Sequence, residues 1–439
     1  MASYSSWGRY PATQQQGSRP RFDDELPGAL QALPADSLVF GNGRSYGDSV
    51  IAPSAQVLDL RQLDRVLHFD RHSGRLQCEA GLLLSDLIRL ALPCGWFPAV
   101  TPGTRFVTVG GAVANDVHGK NHHGAGSFGD QVLGLELLRS DGSRRRCSRE
   151  QHSDWFAATI GGLGLTGVIT RVELQLRPVA GPWLHTESIK FGDLGEFFEL
   201  SAQSNDWEYT VAWIDCLAKG RSLGRGHFLR ANHAGALAEG KTPSARQWAV
   251  PFTPPLPAVN RLTLPAFNAL YYHRQRQRCR TALQHYQPYF YPLDSILDWN
   301  RLYGPRGFQQ YQCVLPPESA EEGVKALLGA IARSAEGSFL AVLKQFGDRR
   351  APGWLSFARP GTTLALDFAQ RGPVTQTLFA ELDAIVEAAA GALYPAKDAH
   401  MGSALFRKAY PRWEELEARR DPQLNSAFWR RTALASHRT

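Results

Sequence analysis

Pro102-Gly103-Thr104-Arg105-Phe106-Val107-Thr108-Val109-Gly110-Gly111-Ala112 runs on through Asn115-Asp116-Val117-His118-Gly119-Lys120-Asn121-His122-His123-Gly124-Ala125-Gly126. Glycine at this density, beside His, Lys and Asn, does not suit a plain core element. It lets the main chain come close to a flat ligand, at a cost in conformational entropy. The bland alternative is a glycine-rich surface loop. His118, His122 and His123 also invite a metal reading, because the first two are four residues apart. A helical metallohydrolase site needs a stable helix and a carboxylate base between its histidines. Here Gly119, Lys120 and Gly124 weaken a helix and carry the wrong charge, so no metal is expected.

A second glycine loop lies upstream. Gly41-Asn42-Gly43-Arg44-Ser45-Tyr46-Gly47-Asp48 follows the strand-like Ser37-Leu38-Val39-Phe40. Its glycines fall as GxGxxxG, and no helical pattern follows. A dinucleotide fingerprint of the Rossmann type needs a helix N-terminus there to receive the pyrophosphate. That reading fails. Successive backbone N–H groups of such a loop can still cradle a pyrophosphate without a helix.

Around these loops the chain alternates short β-rich runs with glycine punctuation up to Pro178. Val57–Leu60, Leu76–Ala80, Val132–Leu138 and Thr166–Leu174 read as strands. Leu84–Leu92 has helical spacing, with Ser85 and Asp86 as start signals and Pro93 to Gly95 as its end. Farther on, Ala231–Pro265 is rich in Ala, Pro and polar residues and reads as a long surface excursion or lid. His273-Arg274-Gln275-Arg276-Gln277-Arg278-Cys279-Arg280 reads first as a solvated helix face, and alternatively as a dock for a phosphate or an anionic membrane surface. Helical spacing over Glu321–Ala332 and Thr377–Ala390, interleaved with strand-like Phe339–Leu343 and Thr363–Phe368, suits an antiparallel sheet covered on one face.

Bulk properties bound the answer. A chain of 439 residues exceeds one ordinary core and points to two domains, three at most. Charged residues make up 20% of the chain, too few for a disordered polyelectrolyte. The net charge of +7 is spread along the sequence, as in a mildly basic enzyme, though a basic nucleic-acid-binding protein is the reading from another class. Six dispersed cysteines without a CxxC pair suggest a reducing compartment. The N-terminus has no export signature, and no uncharged apolar run is long enough to span a bilayer.

The pairing of GNGRSYGDS with PGTRFVTVGGAVANDVHGKNHHGAGSFGD resembles the vanillyl-alcohol-oxidase superfamily of FAD enzymes. More narrowly, the chain is similar to the decaprenylphosphoryl-β-D-ribose 2′-oxidase family. Trp155 to Ile169, Trp299-Asn300, Tyr303-Gly304-Pro305, Gly307 to Gln312 and Tyr394-Pro395-Ala396-Lys397-Asp398 extend the likeness over nearly the whole chain. The resemblance implies an α+β protein with an FAD-binding domain in two parts, residues 1–178 and 393–439. A substrate domain, 179–392, would carry an antiparallel sheet covered by helices. It further implies that Gly41–Gly47 and Pro102–Ala112 wrap the diphosphate and ribityl portion. Asn115, His118, Gly119, Asn121, Gly164, Ile169 and Tyr394 would lie along the FAD. Arg44 stands where many superfamily members have a flavin-attaching histidine, so the flavin is expected to be non-covalent.

For chemistry, the resemblance nominates Lys397 as base, His118 as its competitor, and Tyr46 beside them. Gln310, Gln312, Lys344, Asp367 and Trp213 would line the substrate pocket, with Lys344 the best candidate for a phosphate contact. The expected reaction is oxidation of the 2′-hydroxyl of a polyprenylphosphoryl-ribose, the first half of an epimerisation to the arabinose donor. A separate short-chain reductase would complete it, and a quinone or oxygen would take the electrons. An alditol or sugar-lactone oxidase is the related alternative. The protein is expected in the cytoplasm, with its lipid substrate able to bring it to the inner face of the membrane, and without a nucleic-acid partner. Four departures from the family stand out: Thr363, Ala365, Asn115 and Leu163 replace asparagine, cysteine, cysteine and asparagine. They put the carrier, the inhibitor response and the electron acceptor in question.

Overall fold

The computed structural model describes residues 4–236, 238–240 and 247–435, so positions 237 and 241–246 of the expected lid lie outside the described residues. Three sheets organise the chain. Gln16–Ser18, Gln56–Asp59 and Leu38–Phe40 form a small parallel sheet in that order, with Val57 and Leu58 wholly buried. The strand Leu38–Phe40 runs directly into the loop Gly41–Gly47 and then a single 3-10 turn, Asp48–Val50.

The second sheet has five antiparallel strands in the order Val66–Phe69, Arg75–Glu79, Val168–Gln175, Val132–Leu138, Arg144–Ser148. Helices Leu84–Ala91 and Val109–Ala114 join its apolar core through Leu84, Leu87, Val109, Ala112 and Val113. The predicted strand at Thr166 starts instead at Val168. Gly167 at φ 146 makes the approach, and a Cβ there would sit 2.8 Å from the Leu138 carbonyl. Helix Leu84–Ala91 has Leu83, not Ser85 or Asp86, in the capping position.

The third sheet is antiparallel and eight-stranded, ordered Cys279–His285, Trp183–Phe191, Gly226–His233, Tyr209–Ile214, Ala341–Phe346, Gly361–Ala369, Phe308–Leu315, Ala392–Leu393. Helices Leu194–Ala202, Ala320–Ser334 and Pro373–Ala388 cover one of its faces. Side chains alternate between the two faces of the central strands: Tyr311, Cys313, Leu364, Leu366 and Leu343 point into that helical layer. The period of two then turns Gln310, Gln312, Thr363, Ala365, Asp367, Val342 and Lys344 to the other face.

Two expectations about the middle of the chain are corrected. The basic run 273–280 is not a helix face. Helix Thr263–His273 stops at its first residue, and Cys279 already begins the edge strand of the large sheet, pairing with Ile189. The lid region is also less irregular than its composition suggested, because Ala231–His233 ends a strand paired across to Leu184–Thr186.

Candidate active site

Between the glycine loops and the open face of the large sheet lies a cavity of about 1640 Å³. That exceeds the roughly 300–1,000 Å³ of pockets for drug-sized ligands and leaves room for two ligands end to end. One wall is Gly41 to Tyr46, Pro102 to Thr104, Thr108, Gly110, Gly111 and Asn115, with Gly164 and Ile169 beside them. Trp213, Gln310, Gln312, Lys344 and Asp367 form the facing wall. His118, Gly119, Tyr394 and Lys397 lie in the lining with both.

Three expected ligand residues stand behind the lining instead. A Cβ on Gly47 would fall 1.6 Å from the Asp398 carbonyl oxygen, so this glycine exists for main-chain packing. Ala112 is wholly buried in the core under the five-stranded sheet. Asn121 is buried and donates to the Ala99 carbonyl at 2.8 Å. These contacts hold the loops in shape.

Sheet register assembles the polar wall. Gln310 pairs across from Asp367, and Gln312 from Ala365; Lys344 pairs across from Thr363. Gln310 Nε2 donates to Asp367 Oδ1 at 2.6 Å, while Asp367 Oδ2 is buried without a partner. Lys344 Nζ lies 3.1 Å from His118 Nδ1 and donates to the Gly119 carbonyl at 3.2 Å. The Gln312 amide lies 2.9 Å from His118 Nε2 and reaches Thr363 Oγ1 at 3.3 Å. Lys397 Nζ sits over the Tyr46 ring, 3.6 Å from its centre.

Burial dominates the electrostatics. It lowers Lys397 to about 7, with Asp367 pulling the other way and Lys344 reinforcing it. It raises Asp367, opposed by the Gln310 hydrogen bond and by Lys397. Lys344 is pushed down to about 7 by burial alone. Burial, then the charges of Lys344, His122 and Lys397, hold His118 well below the ordinary imidazole range. His118 is therefore neutral near pH 7. When Lys344 is charged, His118 Nδ1 must accept from it, which leaves Nε2 to donate and requires the Gln312 amide to present its oxygen.

The other two histidines of the motif face elsewhere. A His123 ring nitrogen lies 2.7 Å from the Trp207 carbonyl, and His122 packs against Phe346 with ring centres 4.5 Å apart. Behind the wall, Arg431 binds Asp48 with two nitrogens at 2.9 Å each and Asp398 at 2.8 Å. Asp48 follows the first glycine loop, and Asp398 follows Lys397, so one guanidinium ties both to a single frame. The main chain repeats the tie, since Tyr46 N–H donates to the Ala396 carbonyl at 3.0 Å.

The glycine wall fits a flat dinucleotide cofactor. At Gly164, φ is +73 and nothing lies within 4 Å of where a Cβ would project. Gly41 packs so closely that a Cβ would stand 2.5 Å from Thr108 Oγ1, which brings the two glycine loops together. Neighbouring Leu163 takes φ +58, a left-handed conformation that costs a branched apolar residue roughly 1–2 kcal/mol.

Sequence reasoning passed over Lys120 as a site residue. It lines the cavity, donates to the Tyr289 carbonyl, and is lowered to about 7, first by burial and then by Lys344. Its position inside the HGKNHH motif was the available signal. Phe267, Tyr271 and Arg274 also line the cavity, and nothing in their local pattern announced it.

An FAD binding domain model matches residues 20–148. Decaprenylphosphoryl-beta-D-ribose oxidase of Mycolicibacterium smegmatis is 37% identical over 391 residues, covering 85% of this chain and 83% of that protein. An uncharacterised protein in the mprA 5′ region of Streptomyces coelicolor is 35% identical over 357 residues, covering 78% of this chain and 96% of its own. L-Gulonolactone oxidase of Mus musculus matches at 32% identity but over only 32% of this chain. With the wall of glycine loops and a lysine lining one cavity, this likeness shows that the chain belongs to the decaprenylphosphoryl-β-D-ribose oxidase family and is an FAD-dependent oxidoreductase.

Proposed function

We propose that the protein oxidises the 2′-hydroxyl of a polyprenylphosphoryl-ribose to the keto sugar. This is the first half of an epimerisation to the arabinose donor, completed by a separate short-chain reductase. One observation carries the reading: a lysine with a lowered pKa shares a buried wall with two glutamines and a carboxyl group. A base and several hydroxyl-binding groups on one wall are what a sugar alcohol requires.

FAD, when bound, supplies the acceptor for the hydride that leaves the sugar carbon. The glycine loops Gly41–Tyr46 and Pro102–Gly111 would hold its diphosphate and ribityl portion, with His118, Gly164, Ile169 and Tyr394 along it. Arg44 stands where a covalent link would form, so the flavin is held without one. Neutral Lys397 takes the hydroxyl proton at Nζ, and such a positioned base contributes about 10²–10⁴-fold. Gln310, Gln312 and Asp367 orient the sugar, Lys344 meets the phosphate side, and Trp213 borders the pocket. The division at 178/179 and 392/393 then separates a cofactor domain from a substrate domain. The electron acceptor of the cycle would be a quinone or oxygen.

Anaerobic mixing of the FAD-loaded protein with polyprenylphosphoryl-ribose tests this. The flavin absorbance should bleach, and one keto sugar should form per flavin. Bleaching by alditols or sugar lactones, but not by the polyprenylphosphoryl sugar, would overturn it. Acid precipitation tests the linkage: yellow colour should move to the supernatant.

A further inference from the structure

The most exposed large apolar side chains are gathered in one stretch of the chain, 248–297. Among the described residues, Leu262 is 86% exposed, Leu256 77%, Leu270 72%, Phe252 67% and Trp248 66%, with Phe267, Leu283 and Leu297 adding to them. Helix Thr263–His273 shows why this is not ordinary amphipathic packing. Its inner side is already formed by Leu264 and Asn268, one turn apart, with Phe267 packed on Phe339, yet Leu270 and the capping Leu262 face outward. A helix that keeps a second apolar side in water destabilises itself unless something covers that side.

Within the stretch of chain that carries most of this patch, charge has one sign. No Asp or Glu occurs between Glu239 and Asp294, whereas Arg274, Arg276, Arg278 and Arg280 fall together at the end of the helix and the start of the edge strand. Arg278 reaches Glu196 at 3.7 Å. Arg274, Arg276 and Arg280 form no ion pair among the described residues, and Arg274 instead stacks 3.8 Å over Tyr271. The patch is also continuous with the cavity, because Phe267, Tyr271, Arg274, Arg276, Arg280 and Leu283 all belong to its lining.

We propose that this face, from Trp248 to Leu283, docks the protein on an anionic lipid bilayer with the cavity opening toward the membrane. Leucine, phenylalanine and tryptophan beside unpaired arginines are the pattern of an interfacial helix, which buries its apolar side at the headgroup boundary. The arginines meet anionic headgroups. No helix of the described residues is long and apolar enough to cross a membrane, so the attachment is lateral. The proposal rests on the lipid-borne substrate read above for its purpose, since a polyprenyl chain could then pass from bilayer to cavity without entering water.

Flotation of the FAD-loaded full chain with vesicles tests it without any substrate. Binding to phosphatidylcholine vesicles containing phosphatidylglycerol should exceed binding to phosphatidylcholine alone by about tenfold or more, and should weaken as salt shortens the Debye length. The triple variant Leu256→Glu, Leu262→Glu, Leu270→Glu should lose that binding while keeping the wild-type flavin spectrum, which reports its fold. No flotation with anionic vesicles overturns the proposal, as does flotation that the triple variant leaves intact. Sedimentation of the wild type as a dimer that the variant converts to monomer, without flotation, would assign the face to a second copy of this chain instead. Failure of the substrate reading shows separately, in the bleaching experiment.

Discussion

The inner wall of the cavity and its outer lip are built on opposite principles. Along the strands Phe308–Leu315 and Gly361–Ala369, polar side chains line the cavity, and sheet register fixes the bonds of Gln310 to Asp367 and of Gln312 to Thr363, while Asp367 Oδ2 stays without a partner. At helix Thr263–His273, Leu270 and the capping Leu262 are left 72% and 86% exposed. The first region uses the folded chain to hold unfavourable groups in place; the second leaves favourable contacts unmade. A buried lysine or carboxyl shifts its pKa toward neutrality, which suits proton transfer. An exposed leucine changes nothing inside the molecule and acts only on what meets the surface. Chemistry and address are thus carried by different parts of one cavity.

The largest effect that would break this contrast is at Lys397. Lys397→Ala should lower the rate of flavin bleaching by about 10²–10⁴-fold with FAD still bound, measured by stopped-flow absorbance. Undiminished bleaching would remove the lysine from the chemistry. Next comes Arg431→Met, which leaves the Asp48 and Asp398 carboxylates buried without their shared cation. Such a break should cost about 3–5 kcal/mol, read as a lower urea midpoint.

The pH profile sharpens the contrast further. Lys397 acts as the neutral amine, so kcat/KM should rise with pH through about 7, the region to which burial brings it. The Asp367 carboxylate raises the Lys397 pKa, and Asp367→Asn removes that effect. The rising limb should therefore move to lower pH. A limb that stays in place would assign it to another group, with Lys344, also near 7, first in line. The smallest effect belongs to the lip: Leu256→Ser should change stability by no more than about 0.5 kcal/mol in thermal unfolding, as for other exposed positions.

Much of this architecture was legible before any coordinates. The β-rich run Val132–Leu138, and helical spacing in Glu321–Ala332, led to elements observed at Val132–Leu138 and Ala320–Ser334. Those signals are local, and each reports one buried face. The glycine loops were equally readable, because their composition suits few environments other than a close ligand. What stayed hidden was set by contacts distant in sequence. Gly47 reads like its loop neighbours, but the Asp398 main chain occupies its open side. The arginine run at 274–280 looks like any solvated helix, yet edge pairing with Trp183–Ile189 draws its last two residues into a strand. Lys120 could not be recognised as buried until Tyr289 was beside it.

The clamp at Arg431 also orders events in time. Asp48 and Arg431 lie 383 residues apart, and the strand region at Ser37 is closed by main-chain bonds from Gln423 and Asn425. Contacts of such separation form late, because the intervening chain must first be gathered. On the ribosome, the first glycine loop is made early but cannot be locked until residue 431 has emerged. The nascent chain must therefore carry its half-built glycine wall while the 383 residues after Asp48, up to Arg431, are made.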